Sequence, residues 1–62
     1  MKIKIKSFNG ELPDYLTLGK VYRVTHIESL TTVRVKDDLN NSISVRLDSC
    51  AYLNSGSWEV IE

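Results

Sequence analysis

The chain has 62 residues, a mass of 7.1 kDa, and eight basic and eight acidic side chains, so its formal net charge is zero. This length allows one domain, residues 1–62. Neutrality argues against a general nucleic-acid coat protein and against an acidic DNA mimic, because both need a strong field of one sign. The single cysteine cannot form an internal disulfide, and one cysteine with one histidine cannot build a structural zinc site.

The apolar runs of the sequence are short. None approaches the roughly 20 residues of a membrane-spanning helix. The amino-terminal segment alternates Lys and Ile, which is not the pattern of a signal peptide. We therefore expect a soluble, cytoplasmic domain with no bound metal, no cofactor and no membrane contact.

Alternation of apolar and polar residues predicts five β-strands. Val, Ile and Thr are abundant while Ala occurs once, which favours strands over helices. The period of two predicts strands at Lys2–Lys6, Lys20–Ile27, Thr32–Lys36, Ser42–Leu47 and Ser57–Ile61.

The connecting segments carry turn signals. The longest, Phe8–Gly19, contains Asn9-Gly10 and Pro13. Asp37–Asn41 has the length and polarity of a hairpin loop. The segment Asp48–Leu53 lacks alternation and is predicted to form one helical turn with Asp48 or Ser49 as its N-cap.

Five short strands must bury their apolar faces against one another, so we expect an all-β fold in which the sheet curls into a small barrel or orthogonal sandwich. The predicted core comprises Ile3, Ile5, Tyr22, Val24, Val33, Val35, Ile43, Val45, Leu47 and Val60, with Leu12, Leu16, Cys50 and Leu53 closing its ends.

The order of these elements resembles a five-stranded SH3-like barrel, which has a long first loop and a 3₁₀ turn before its last strand. Three segments also resemble small phage-encoded proteins of unassigned function: Thr17–Val24 with its T-x-G-K-x-Y-x-V pattern, the Asp37-Asp38 turn, and the closing Trp58-Glu59-Val60. The resemblance implies a fold and a phage origin, and it implies no particular activity.

Peptide-binding members of the SH3-like fold recognise polyproline in an aromatic groove with an acidic rim. Tyr15 and Tyr52 stand where two groove tyrosines would be, and Glu11, Asp14 and Glu28 could form the rim. The A-L-Y-D-Y signature is absent, however, and the only tryptophan, Trp58, lies in the last strand. Polyproline recognition is therefore disfavoured.

Candidate catalytic groups are sparse. His26 falls in phase with core residues and is expected to be a half-buried structural histidine, while Cys50 is expected to be a small core residue. Asp37 and Asp38 suit a turn with solvated charges better than an acid–base pair. The glycines are isolated, so no phosphate-binding loop is present. We expect that the protein is not an enzyme.

The basic residues lie mainly on the predicted outward face of the strands, whereas the acidic residues lie mainly in loops. Such a face either keeps strand edges soluble or binds nucleic acid. The nucleic-acid alternative uses Lys2, Lys4, Lys6, Arg34, Lys36 and Arg46, with Phe8, Tyr15, Tyr52 and Trp58 as the available aromatic side chains.

Val21 and Ile27 fall on the predicted outward face of the second strand, where they either form a protein contact or are covered by the long first loop. Our first hypothesis is a protein-interaction module that contacts a larger protein as a monomer or homodimer, and the phage resemblance implies that this partner is a host protein. Its candidate binding residues are Tyr15, Tyr52, Glu11, Asp14, Val21 and Ile27. The alternatives are the nucleic-acid binder and an assembly component. A continuous basic stripe favours nucleic acid, whereas mixed signs beside one apolar patch favour a protein partner.

Overall fold

The computed structural model describes residues 1–62 and is all-β, with one short 3₁₀ helix and no α-helix. The strands are β1 (Lys2–Ser7), β2 (Tyr22–Ile27), β3 (Thr32–Lys36), β4 (Ser42–Arg46) and β5 (Ser57–Val60), and the 3₁₀ helix is Ala51–Leu53. All five predicted strands are present. Three are shorter than predicted, because β2 begins after Val21, β4 ends before Leu47 and β5 ends before Ile61.

The strands form one antiparallel sheet in the order β4-β3-β2-β1-β5. The first residues of β2 pair with β1, and the later ones pair with β3. The outermost strands, β4 and β5, share no ladder, so the sheet is not closed into a barrel. One backbone hydrogen bond, from Trp58 N–H to Leu47 C=O at 2.8 Å, joins β5 to the residue that follows β4.

The predicted core is largely confirmed. The buried apolar residues are Ile3, Ile5, Leu16, Tyr22, Val33, Val35, Val45, Cys50, Leu53 and Trp58. Four further predicted core residues, Leu12, Val24, Ile43 and Leu47, are half-buried against them.

Two residues of β5 correct the predicted core. Val60 is 48% exposed, although it lies opposite Ile3 on the core side, because nothing packs over the end of this outer strand. Trp58, considered above as an exposed aromatic, is only 4% exposed. It lies opposite Ile5 and meets the ring of Tyr22 edge-to-face, with centroids 5.7 Å apart. Its indole N–H is buried without a hydrogen-bond partner.

An irregularity in β2 changes which way its side chains point. Val24 lies opposite Val35 and His26 lies opposite Arg34, so Thr25 is an extra residue in the ladder and its hydroxyl donates to the Arg34 carbonyl at 3.1 Å. A bulge reverses the alternation of the residues that follow it. His26 is therefore exposed, and the prediction of a half-buried histidine is wrong.

The turn before β5 also differs in its capping. Cys50, rather than Asp48 or Ser49, is the N-cap of the 3₁₀ helix, and no side chain caps it. The carboxylate of Asp48 instead accepts a hydrogen bond from Arg46 Nε at 2.9 Å.

The hairpin between β3 and β4 is closed by Asp37. Its carboxylate accepts the backbone N–H groups of Leu39 and Asn41 at 2.9 and 2.8 Å, and Asn40 takes a left-handed conformation. Asp37 is buried, so the prediction that it is a solvated charge is wrong. Short polar side chains favour such turns because they bind nearby backbone N–H groups.

Asp38 joins this hairpin to the long β1–β2 loop. Its carboxylate accepts hydrogen bonds from Thr17 Oγ1 (2.6 Å), Lys20 Nζ (2.6 Å) and the Tyr22 hydroxyl (3.0 Å). The Tyr22 oxygen accepts the Thr17 N–H at 2.8 Å, and Asp38 N–H donates to the Tyr15 carbonyl at 2.9 Å. Asp38 is thus a structural acceptor rather than a solvated charge.

The pKa values of Asp38, Lys20 and Tyr22 are all shifted in this arrangement. The hydrogen bond from Lys20, followed by that from Thr17, lowers the pKa of Asp38. The same bond raises the pKa of Lys20. The pKa of Tyr22 is raised, mainly because burial disfavours the phenolate.

We expect Gly56→Ala to destabilise the fold by about 3 kcal/mol, the upper range for overpacking. A Cβ at this position would lie 2.1 Å from the Ser7 carbonyl oxygen and 2.7 Å from Phe8 Cα, and neither atom belongs to a flexible side chain. Urea unfolding measures the loss. The control is Gly19→Ala, which meets no atom within 4 Å and costs only about 1–2 kcal/mol for its positive φ. Equal losses at the two positions would contradict the packing argument.

We expect Asp38→Asn to lower the melting temperature at pH 7 and to flatten its acid dependence. Because folding lowers the carboxyl pKa, the Asp38 contacts stabilise the chain above the unfolded pKa, near 4, and are lost as pH falls through the folded value. The difference from wild type therefore shrinks below about pH 4.

Thermal melts followed by circular dichroism over a pH series test this expectation. Asp14→Asn is the matched control, since Asp14 is exposed and makes no hydrogen bond or ion pair. A difference between Asp38→Asn and wild type that persists unchanged through the acid range is incompatible with the proposed role of the carboxylate.

Candidate protein-binding surfaces

Two of the predicted binding residues form an aromatic pair. The rings of Tyr15, in the β1–β2 loop, and Tyr52, in the 3₁₀ helix, meet edge-to-face with centroids 6.1 Å apart. Both are half-buried against the core. Each tyrosine side chain is therefore only partly accessible to a ligand.

The other predicted residues are spread around the molecule. Glu11 and Asp14 are exposed in the same loop as Tyr15 and make no ion pair. Val21 and Ile27, predicted to share one face, lie on opposite faces, because Tyr22 next to Val21 points inward while Ile27 lies opposite the core residue Val33. Neither is covered by the long loop, as both are exposed.

A shallow groove lies beside the second half of β2. Its volume is about 390 Å³, and it is lined by Met1, Val24, Thr25, His26 and Ile27. Ile27 is 65% exposed although it occupies the core side of the sheet. The bulge at Thr25 causes this arrangement, because it turns Ile27 inward at the end of the sheet where no element packs over it. We call these five residues the β2 groove.

Some of the candidate nucleic-acid-binding residues form ion pairs with acidic side chains of the same chain. Arg34 binds Glu28 at 2.9 Å and Arg46 binds Asp48 at 2.9 Å. Lys4 lies directly opposite Glu59 in the β1–β5 ladder. Lys2, Lys6 and Lys36 form no ion pair. Acidic residues thus interrupt the basic face, and the outward surface carries both signs.

Glu28 is the most connected of these acidic groups. One carboxylate oxygen accepts the Ser44 hydroxyl at 2.7 Å, and the other accepts Arg34. The Ser44 bond and then the Arg34 bond lower the pKa of Glu28. Glu28 therefore braces the sheet across β3 and β4 and is not available as part of an acidic rim around the tyrosine pair.

The groups considered for catalysis are not assembled into a site. Cys50 is buried and His26 is exposed on β2. The two adjacent aspartates serve the hairpin and the β1–β2 loop. No group of three or more His, Cys, Asp or Glu side chains is arranged to hold a metal ion.

Sequence reasoning found Ile27 but missed the rest of the β2 groove. The alternation predicts Val24 as a core residue and gives no indication of a role for Met1. A bulge has no distinctive residue in Tyr22–Ile27, since Thr25 fits a regular strand equally well. The single available signal is Ile27 itself, which falls out of phase with Tyr22 and Val24 in a strict alternation.

The protein contains no helix with the length and apolar character needed to cross a membrane. Comparison with protein-family models, curated proteins and solved structures finds no match to this chain.

Proposed function

We propose that this chain is a small non-enzymatic binding module that contacts a larger protein through the β2 groove. The observation that carries the proposal is the exposed Ile27 on the core side of the sheet, at the edge of an open groove. Leu30 is more exposed than Ile27, but only Ile27 is contiguous with other apolar side chains, Met1 and Val24, in a groove. Contiguous exposed apolar surface is typical of protein interaction sites, whereas single exposed apolar residues are not.

The distribution of charge supports a protein partner over a nucleic acid. Nucleic-acid surfaces need unpaired cations that follow a phosphate backbone. Here Arg34 and Arg46 are bound to acids, and Glu59 faces Lys4. The buried Trp58 also removes the largest aromatic ring that could stack on a base. Mixed charges around an apolar groove fit a protein surface better.

We further propose that the sheet is an SH3-like barrel left open between β4 and β5, in a protein of phage origin whose partner is a host protein. The strand order, the 3₁₀ helix between β4 and β5, and the hydrogen bond from Trp58 to Leu47 support the fold. The phage origin and the host partner rest on the sequence resemblance alone. Polyproline binding is not part of the proposal, because Trp58 is in the core and the two tyrosines contact each other.

We expect Ile27→Asp to reduce capture of the partner at least tenfold while leaving the fold intact. A carboxylate in the groove would have to be desolvated on binding, and a tenfold loss corresponds to about 1.4 kcal/mol. The experiment compares proteins captured from host lysate by immobilised wild-type and variant chains, quantified by mass spectrometry.

Leu18→Asp is the matched control for this experiment. Leu18 is also exposed, at 57%, but it lies in the β1–β2 loop outside the groove. A protein retained by wild type and Leu18→Asp but not by Ile27→Asp supports the proposal. Partners that bind all three chains equally, or no specific partner at all, argue against the groove.

The nucleic-acid alternative is checked separately. We expect no binding of single-stranded or duplex oligonucleotides at about 50 mM salt, measured by fluorescence anisotropy, because the basic face is interrupted by acids. Binding that falls steeply with added salt and is weakened by Lys36→Glu would replace the protein-binding proposal with the nucleic-acid one.

A further inference from the structure

We propose that β4 is a self-association edge, through which two copies of this chain pair antiparallel about a two-fold axis at Ser44. The inference is independent of the β2 groove, since β4 lies at the outer edge of the sheet with β3 between it and β2. It concerns the backbone edge of β4 and not the apolar surface beside β2.

The backbone groups of β4 alternate between β3 and solvent. Leu47 N–H donates to the Thr31 carbonyl at 2.7 Å, and Asp37 N–H donates to the Asn41 carbonyl at 2.9 Å, so the two hydrogen bonds bracket the strand. Hydrogen-bonded pairs alternate along an antiparallel ladder. Ile43 and Val45 therefore bond to β3, whereas the N–H and C=O groups of Ser42, Ser44 and Arg46 point away from the sheet.

This edge carries little of the usual protection against strand addition. Proteins block exposed edges with proline, bulges or unpaired charges, especially lysine. The pairing of β4 with β3 is regular over all five residues, from Thr32–Arg46 to Lys36–Ser42. The strand has no proline and no lysine, and its one charge, Arg46, is already bound to Asp48.

The sequence of β4 is complementary to itself in the register that centres on Ser44. Ser44 then faces Ser44 of the second copy, Ser42 faces Arg46, and Ile43 faces Val45. No like charges are opposed along the strand, and the apolar residues meet on the core side. On the outer side the small Ser44 side chain, whose hydroxyl donates to Glu28, meets its own copy. Opposite like charges destabilise strand pairs, so this register avoids the main penalty. The half-buried Ile43 also gains cover.

The self-association is weak by the standards of permanent dimers. One five-residue strand per copy forms an interface at the small, transient end of the known range. Sedimentation velocity over a wide concentration series is the appropriate measurement, and the wild-type chain is expected to convert from monomer to dimer as its concentration rises.

Charged substitutions on β4 test the proposed register between the two copies. Ser42→Lys places a lysine opposite Arg46 of the second copy at two symmetric positions, and we expect about tenfold weaker dimerisation. The double variant Ser42→Lys/Arg46→Glu opposes Lys with Glu and is expected to restore it. Ser42 is exposed, and its only side-chain hydrogen bond is with Arg34 Nη1 at 3.4 Å. Because Ser42 lies opposite Lys36 within the chain and Arg46 binds Asp48, thermal melts of both variants are measured first to establish that the monomer stays folded. Leu18→Lys, in the β1–β2 loop, is the charge-matched control.

Amide hydrogen exchange gives a second and direct measurement. The Ser44 N–H points to solvent in the monomer and is bonded in the dimer, so its protection is expected to rise with protein concentration, while that of Leu18 stays constant. A chain that is monomeric at every concentration overturns the proposal. So does a dimer that Ser42→Lys and Leu18→Lys affect equally, or one in which the Ser44 amide stays unprotected.

Discussion

Tyr22 is the residue on which the rest of the structure depends, because it belongs to both the core and the loops. Its ring packs edge-to-face against Trp58, and its hydroxyl links Thr17 to Asp38. The ring thus ties β2 to β5, while the hydroxyl ties the long first loop to the β3–β4 hairpin. A domain of this size has few buried side chains. Tyr22 therefore matters twice, because its ring packs in the core while its hydroxyl forms hydrogen bonds that hold the loops.

The bulge at Thr25 separates the structural half of β2 from the half that supports the proposed function. Before it, Tyr22 and Val24 face the core in regular alternation. After it, Ile27 faces the same side but lies beyond the cover of other elements, while His26 turns to solvent. A single inserted residue therefore places an apolar side chain at the uncovered end of the sheet, and bulges near functional sites commonly redirect side chains in this way.

The sequence predicts the strands and the side chains that point inward, because local alternation determines them. It does not predict burial or hydrogen bonds that depend on contacts between distant segments. The range of β3 and its inward Val33 and Val35 were right because every residue of that strand alternates. Val60 and Trp58 are in phase, so no pattern could show that only Trp58 is covered. The segment around Tyr22 was recognised as a motif, but the partner of its hydroxyl, Asp38, lies in a distant hairpin that only the tertiary structure brings near.

The burial of Trp58 gives the protein an internal optical reporter. It is the only tryptophan, and its indole lies in an apolar site with no hydrogen-bond partner for its N–H. Its emission should therefore report the integrity of the Tyr22–Trp58 contact, shifting to longer wavelength when water enters. Trp58 belongs to neither the groove nor the edge of β4. A shift of its emission during a binding experiment therefore indicates loss of structure, whereas association alone leaves the emission unchanged.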